Sequence, residues 1–401
     1  MKILSVAHSI LQENAPHAGG NTYSFYMKQI ANCPDMDLHV ICMGKPGDSS
    51  KVDFSKFGAT GTILMRKGSL LFNIRRVLWD MYGRLFGKSQ INSYFKHRSY
   101  IKALTKLKNN GYYPNVIILE WTECVSLSHV CREIFPDAHI LGSEHDVLFL
   151  SYERRAANSA NGPKKKRLEK KASIIKQAEL DAIRNCDVVM PHNLKDAMLL
   201  KKNGIPDSMI FPIVAFYSSK VHIAYHPENH DIIFWGAMSR PENYEAAEWF
   251  IEKVMPKLDD TDVRFIVIGS NPHPSLVQLA SDKVIITGFV DKPDDYFKKS
   301  LCMVVPLKVG AGIKVKVLEA MSSGIPVLTN EIGIEGIPAR DNVEYLYCNS
   351  ADSYNKRIRD LIAGNIDPLS MSTAERRLIE QNFNLEESAS SYIRMLRGLI
   401  S

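Results

Sequence analysis

The chain has 401 residues, of which 45% are hydrophobic and 23% charged, with 50 lysines and arginines against 44 aspartates and glutamates. At roughly 150 residues per domain this length implies two or three domains, and the balance excludes disordered, collagen-like and low-complexity classes. A net charge of +6 over such a surface does not mark a nucleic-acid binder; it suits anionic small molecules or a weak attraction to anionic lipid.

The opening apolar run, Ile3–Ala7, is too short for a signal peptide, meets His8, and reads as a strand. Further short runs rich in Val and Ile follow at 38–43, 62–65, 116–119, 139–142 and 188–190, separated by helix-length segments. This spacing predicts parallel α/β layers. A second series begins at Ile232–Trp235 and continues at 264–268, 284–287, 303–305 and 327–329. Two such series imply two doubly wound domains. The boundary falls in 211–230, where Pro212, the Tyr217-Ser-Ser cluster and Pro227 break all periodicity. The expected division is 1–215 and 216–381, with a last helix over 382–401 packing back on the first domain. Seven cysteines at irregular spacing argue for reduced thiols rather than a disulfide framework or zinc site. No run of 18 apolar residues would span a bilayer.

Two segments interrupt the pattern. Over 69–88, Leu70, Leu71, Ile74, Val77, Leu78, Met81 and Leu85 fall at helical spacing with Arg75, Arg76, Arg84 and Lys88 among them. This is either a core-packed helix with a basic outer face or an amphipathic helix that touches a membrane. The run Lys164-Lys-Lys-Arg167 is either a solvated, mobile surface or an approach to an anionic acceptor or lipid head group.

The most informative stretch is Val309-Gly-Ala-Gly-Ile-Lys-Val-Lys-Val-Leu-Glu-Ala-Met321, followed by Ser-Ser-Gly-Ile-Pro-Val-Leu-Thr329. Gly310 and Gly312 free the backbone for close approach to a ligand. A helix should start just after them, with its N–H groups and positive end facing an anion such as phosphate. Lys314 and Lys316 add full charges, and Glu319 can accept two hydroxyl donors of the kind a ribose presents. Arg240, beyond the strand ending near Gly236, is a second phosphate candidate or else a surface arginine beside a proline turn. Asn243 reads as the N-cap of the next helix. No Asp-x-Asp follows a strand to hold a metal.

The string from Val309 to Thr329 resembles the carboxy-terminal signature of family-four glycosyltransferases, which have the GT-B fold, two Rossmann-like domains facing a central cleft, and are retaining. Phe234-Trp-Gly-Ala-Met-Ser-Arg-Pro-Glu-Asn243, Ile286-Thr-Gly-Phe-Val-Asp291 and Thr329-Asn-Glu-Ile-Gly-Ile-Glu-Gly336 extend the likeness over about 231–340. In the first half, His17-Ala-Gly-Gly-Asn-Thr22 resembles the family's Gly-Gly loop, and Glu144-His-Asp146 its histidine turn. The resemblance implies a metal-independent hexosyltransferase, with a UDP- or GDP-linked sugar as co-substrate and no cofactor. By that resemblance His145, Arg240 and Lys316 are catalytic, and Gly19, Gly20, Gly236, Phe289, Val290, Gly310, Ala311, Gly312, Ile313, Lys314 and Glu319 join Arg240 and Lys316 in binding the donor. Phe289 and Val290 would line the base pocket. Many members carry two glutamates eight positions apart; here Ala311 stands at the first, as in a branch with Gly-x-Gly-Ile-Lys. Which of Lys314 and Lys316 meets the phosphates stays open. The expected acceptor is a glycan or lipid-linked glycan of surface polysaccharide synthesis, and the expected setting cytoplasmic, with membrane contact through 69–88. A nucleotide-sugar 2-epimerase or a non-catalytic nucleotide- or glycan-binding relative would share the shape.

Overall fold

The computed structural model describes the chain apart from residues 16, 46, 49–51, 66–69, 86–90, 158, 311 and 401, and gives only the backbone of 70–73, 84 and 85. The chain forms two compact units, Met1–Phe216 with Leu385–Ser401, and Tyr217–Asn384.

Unit 1 is built on a six-stranded parallel sheet of β1 (Lys2–Ala7), β2 (Asp37–Gly44), β3 (Thr60–Met65), β4 (Val116–Glu120), β5 (His139–Glu144) and β6 (Val188–Pro191), in the order β3-β2-β1-β4-β5-β6. Successive side chains of a strand point to opposite faces, and here both faces are dry. Leu4 and Val6 enter one apolar cluster with Ile117, Leu119 and Ile140; Ile3 and Ala7 enter the other with Val116, Ile118 and Leu141. Burial on both sides is why these strands read as continuous Val/Ile runs. The helix Leu385–Gly398 closes the second face. It buries Ala389, Tyr392, Ile393 and Leu396; Ser388 Oγ lies 2.6 Å from Tyr26 Oη, and Arg397 pairs with Asp35.

Unit 2 repeats the plan with β7 (Ile232–Trp235), β8 (Phe265–Ile268), β9 (Val284–Gly288), β10 (Cys302–Val305), β11 (Val327–Thr329) and β12 (Leu346–Tyr347), ordered β12-β11-β10-β7-β8-β9. The two-residue β12 is too short to show in a hydropathy pattern.

The basic run at 164–167 forms the first turns of the helix Pro163–Arg184, with Lys164, Lys166 and Arg167 exposed. One surface expectation is corrected. The helix Leu70–Leu85 forms, but it is not core-packed on its apolar side: Ile74, Val77, Leu78 and Met81 are 48–59% exposed, with exposed Arg75 and Arg76 beside them. Its other side docks on the helix Tyr94–Asn109, where the Arg98 guanidinium lies 3.9 Å over the Trp79 ring and Asp80 accepts from Ser93 Oγ and Phe95 N. Ser69 and residues 86–88 of that segment lie outside the described residues.

The ends of β7 and β8 come together through backbone alone. A Cβ on Gly269, whose φ is +156°, would fall 1.6 Å from the Gly236 carbonyl oxygen. No side chain can relax that contact, because both partners are main chain at strand ends. Gly269→Ala is expected to cost about 2 kcal/mol or more, a fall of roughly 4–8 °C in the unfolding midpoint for a unit of this size. Thermal unfolding followed by circular dichroism reads it, and an unchanged midpoint would refute the close approach.

Candidate functional site

Each sheet has one point where strand order reverses, between β1 and β4 in unit 1 and between β7 and β10 in unit 2. Loops leaving such neighbours part in opposite directions and open a crevice at the strand carboxyl ends. The chemically active residues of each unit gather there.

In unit 2, Gly236 follows β7 directly. A Cβ there would lie 3.1 Å from both Asn243 Nδ2 and Lys316 Nζ, so the glycine keeps that space for the two side chains. Lys316 stands in the first turn of the helix Val315–Ser323, donates to Asn243 Oδ1, and sits 5.0 Å over the Phe234 ring. Asn243 is fixed in turn by donating from Nδ2 to the Ala237 carbonyl at 2.9 Å. Burial, and then the Arg240 and Lys314 cations, pull the Lys316 ammonium down to about 7. Lys314 is engaged differently: it donates to the Gly312 carbonyl and lies 3.5 Å from the buried Glu335 carboxylate. One turn beyond Lys316, Glu319 accepts from Trp235 Nε1 at 2.8 Å and from Ser218 N at 3.3 Å, and burial raises its carboxyl above the usual range.

Asn243 is not an N-cap. Arg240 holds that position through its backbone, Pro241 is the first helical residue, and Asn243 lies inside the first turn of Pro241–Lys253. Proline's preference for the first helical position was the signal that places the cap three residues earlier. The Arg240 side chain is exposed and pairs with Glu242. Gly312 takes the left-handed φ of +69° that lets the loop turn into the helix, with Gly310 at +143°; Ile313 beside it is half-buried, and Ala311 lies outside the described residues. Past β9, Phe289 is 75% exposed and Val290 half-buried.

In unit 1, His145 follows β5. Its ring is buried, stacks on Trp121 at 4.1 Å with the planes 7° apart, and meets the His192 ring at 4.1 Å. Nε2 lies 2.9 Å from Glu120 Oε2, at the end of β4; Nδ1 is buried with no hydrogen-bond partner among the described residues. Burial, and then His8 and His17, hold His145 well below the ordinary imidazole range, while burial pushes Glu120 up to about 8. Gly19 and Gly20 do not form a loop. They lie in the first turn of the helix Ala18–Ala31, where His17 Nδ1 accepts from Gly20 N at 2.9 Å. A Cβ on Gly19 would sit 3.0 Å from His145 Nδ1. Trp121 adopts φ +67°, a conformation that costs a non-glycine residue energy and tends to mark functional sites. A cavity of about 430 Å³ adjoins this cluster, with His8, Gln12, His17, Lys45, Asp48 and Lys96 in its wall.

Sequence reasoning missed Glu120, Trp121 and His192, and misassigned Asn243. Glu120 had a usable signal, a carboxylate closing the apolar run Val116-Ile-Ile-Leu. The backbone of Trp121 and the fold-back of His192 had none.

Residues 229–364 match the family Glycosyl transferases group 1. An uncharacterized 44.6 kDa protein in the cps region of Klebsiella pneumoniae is 24% identical over a 141-residue alignment that covers 32% of this chain and only 36% of that protein. Among solved structures, Anabaena HepE in complex with UDP has a TM-score of 0.68 at 12% identity, covering 99% of this chain and 100% of that one. Sucrose-phosphate synthase from Thermosynechococcus elongatus has a TM-score of 0.69 at 14% identity over 100% and 99%. The lipopolysaccharide outer core galactosyltransferase WaaB in its apo form has 0.65 at 13% over 99% of each chain. At these identities the structural likeness establishes the fold. Residues 229–364 thus form a glycosyl transferases group 1 domain, in a chain with the two-sheet α/β architecture of GT-B glycosyltransferases.

Proposed function

We propose that the chain is a retaining glycosyltransferase that moves a hexose from a UDP-sugar to a hydroxyl acceptor in surface glycan synthesis. The observation that carries this reading is the close approach of Lys316 and Asn243 to the backbone at Gly236, inside the matched residues 229–364. Breaking a glycosyl–diphosphate bond puts growing negative charge on the leaving phosphate, and preorganised cations there stabilise the transition state. Lys316 supplies that charge at a helix start, and Arg240 lies close enough to depress it. In this reading side-chain cations take the place of a metal. Glu319 keeps unused lone pairs on both oxygens for a ribose diol. The choice of UDP is supported by HepE, whose structures hold UDP and UDP-glucose. The acceptor side belongs to unit 1 and its polar cavity, and the exposed apolar side of Leu70–Leu85 with its arginines suits an anionic bilayer surface where a lipid-linked acceptor would reside.

A thermal-shift series with UDP, GDP, ADP and CMP in EDTA tests the donor class. UDP at 100 times its Kd is expected to stabilise the protein by about 2.7 kcal/mol. Lys316→Met and Glu319→Ala should each weaken UDP roughly 10- to 100-fold, the range for a lost hydrogen bond to a charged group. No shift with any nucleotide would sink the reading.

The depressed Lys316 gives binding a proton signature. At pH 8 the ammonium is mostly neutral in the free protein, and a bound diphosphate restores its charge. UDP binding at pH 8, where its terminal phosphate is already ionised, should therefore take up close to one proton. Calorimetry in buffers of different ionisation enthalpy measures this, and Lys316→Met should abolish it.

Membrane contact predicts co-sedimentation with phosphatidylglycerol vesicles, weakened by salt and lost in the double variant Leu78→Asp, Met81→Asp. Equal pelleting of wild type and variant would exclude this helix as the contact.

A further inference from the structure

We propose that Glu120 is a positioning residue that assigns the ring proton of His145 to Nδ1, so that His145 meets its ligand as a hydrogen-bond donor and not as a base. The inference rests on the glycosyltransferase reading only for the identity of that ligand.

Among the described residues His145 has one hydrogen-bond partner. Nε2 faces Glu120 Oε2 at 2.9 Å, and both side chains are at most 4% exposed. Nδ1, the other ring nitrogen, is buried with no hydrogen-bond partner among the described residues and lies beside Gly19, where a Cβ would come within 3.0 Å of it. Stacking on Trp121 holds the plane of the ring, and the Glu120 contact fixes which edge of it carries Nε2.

The proton count then decides its chemistry. When the pair holds two protons, the carboxyl donates to a bare Nε2 and the ring proton is on Nδ1, or a carboxylate accepts from an imidazolium whose Nδ1 also carries hydrogen. Both arrangements present Nδ1–H, so the conclusion does not depend on how the pair shares its protons. When the pair holds one proton, the carboxylate accepts from Nε2–H and Nδ1 offers a lone pair. Burial favours keeping the second proton, because losing it leaves a carboxylate in a dry site. It holds Glu120 at about 8, so the two-proton state prevails at neutral pH and is lost as pH rises through that value. Other titratable groups face the pair from several elements: His8 beyond β1, His17 at the cap of the helix Ala18–Ala31 and Tyr23 within it, Cys124 after β4, His192 after β6 and Tyr392 from the last helix. The Ser143 hydroxyl lowers Glu120 in part. His8 and His17 oppose a cation on His145.

The consequence is specific. In the two-proton state that prevails at neutral pH, His145 cannot take a proton from an acceptor hydroxyl through Nδ1. It can only donate to a ligand oxygen, such as a sugar hydroxyl or a phosphate.

Histidine-selective ¹⁵N NMR of the full chain tests this, with the His145 signals identified by their absence in His145→Gln. The expected result is hydrogen on Nδ1 at pH 6.5, transferred to Nε2 as pH rises through about 8. In Glu120→Gln the tautomer should not change between pH 6.5 and 9.5. Hydrogen on Nε2 at pH 6.5, a wild-type tautomer that stays constant to pH 9.5, or a Glu120→Gln protein that titrates like wild type would each overturn the inference. If Glu120→Gln does not fold, the wild-type titration alone decides. Where transfer from UDP-glucose is measurable, its rate should fall above pH 8 in wild type and not in Glu120→Gln. The predicted tautomer change in a protein that transfers no sugar would defeat the transferase reading and leave this one standing.

Discussion

Every strand in both sheets runs parallel to its neighbours, and this constraint organises the rest of the molecule. Parallel strands cannot be joined by tight turns, so each needs a crossover, and all carboxyl ends of a sheet meet at one edge. Where the order reverses, adjacent strands send their loops apart. In unit 1 that point brings His8 after β1 beside Glu120 and Trp121 after β4. In unit 2 it brings Gly236 after β7 beside the loop that follows β10. Both sites are therefore assembled from residues more than 70 positions apart, at positions that topology alone selects.

The two sites handle the cost of burying polar groups in opposite ways. Removing a charge from water is expensive unless a partner compensates it. In unit 2, Lys316 has an amide as its acceptor where Lys314 has a carboxylate. An amide holds an ammonium in place without neutralising it. That arrangement keeps Lys316 ready for a stronger anion, and its depressed proton affinity is the corresponding penalty in the empty protein. In unit 1 the groups are placed so that neutrality is preferred: an imidazole pushed down and a carboxyl pushed up, joined by one hydrogen bond.

Much of this was legible in the sequence because it is periodic or local. Doubly buried strands are apolar runs, and eleven of the twelve described strands lie where such runs stand; β12 has two residues and no pattern to show. The loop and helix from Gly310 to Glu319 could be read because the glycines, lysines and carboxylate are close in the chain. Asn243 and Lys316 are 73 residues apart, and only the β7/β10 switch joins them. His145 was found through its turn, but Glu120 is 25 positions earlier and its role appears only when β4 and β5 pair. Gly19 and Gly20 were read as a loop from the likeness to the family's Gly-Gly loop; here they lie in the first turn of a helix, with Gly19 against the His145 and Trp121 rings, where a larger side chain would not fit.

Buried carboxyls surround the His145 turn, and their partners separate support from chemistry. Glu179 spends one oxygen on Leu148 N and the other on Phe149 N, both at 2.8 Å, and so satisfies the first amides of the helix Leu148–Ala157. Glu144 accepts from the Thr122 hydroxyl, which also reaches the Asp146 carbonyl. Burial pushes both carboxyls up, Glu179 to about 7, and their proximity to each other raises Glu144 further. These perturbed groups would attract notice as catalytic acids on proton affinity alone. Their bonds fix the two ends of the turn, residues 144 and 148, and thereby the direction of the His145 ring between them. Glu120 differs in the one respect that matters. Its oxygen is bonded to the ring itself, so a change in its proton reaches the nitrogen that faces Gly19, whereas a change in Glu144 or Glu179 acts only through the backbone.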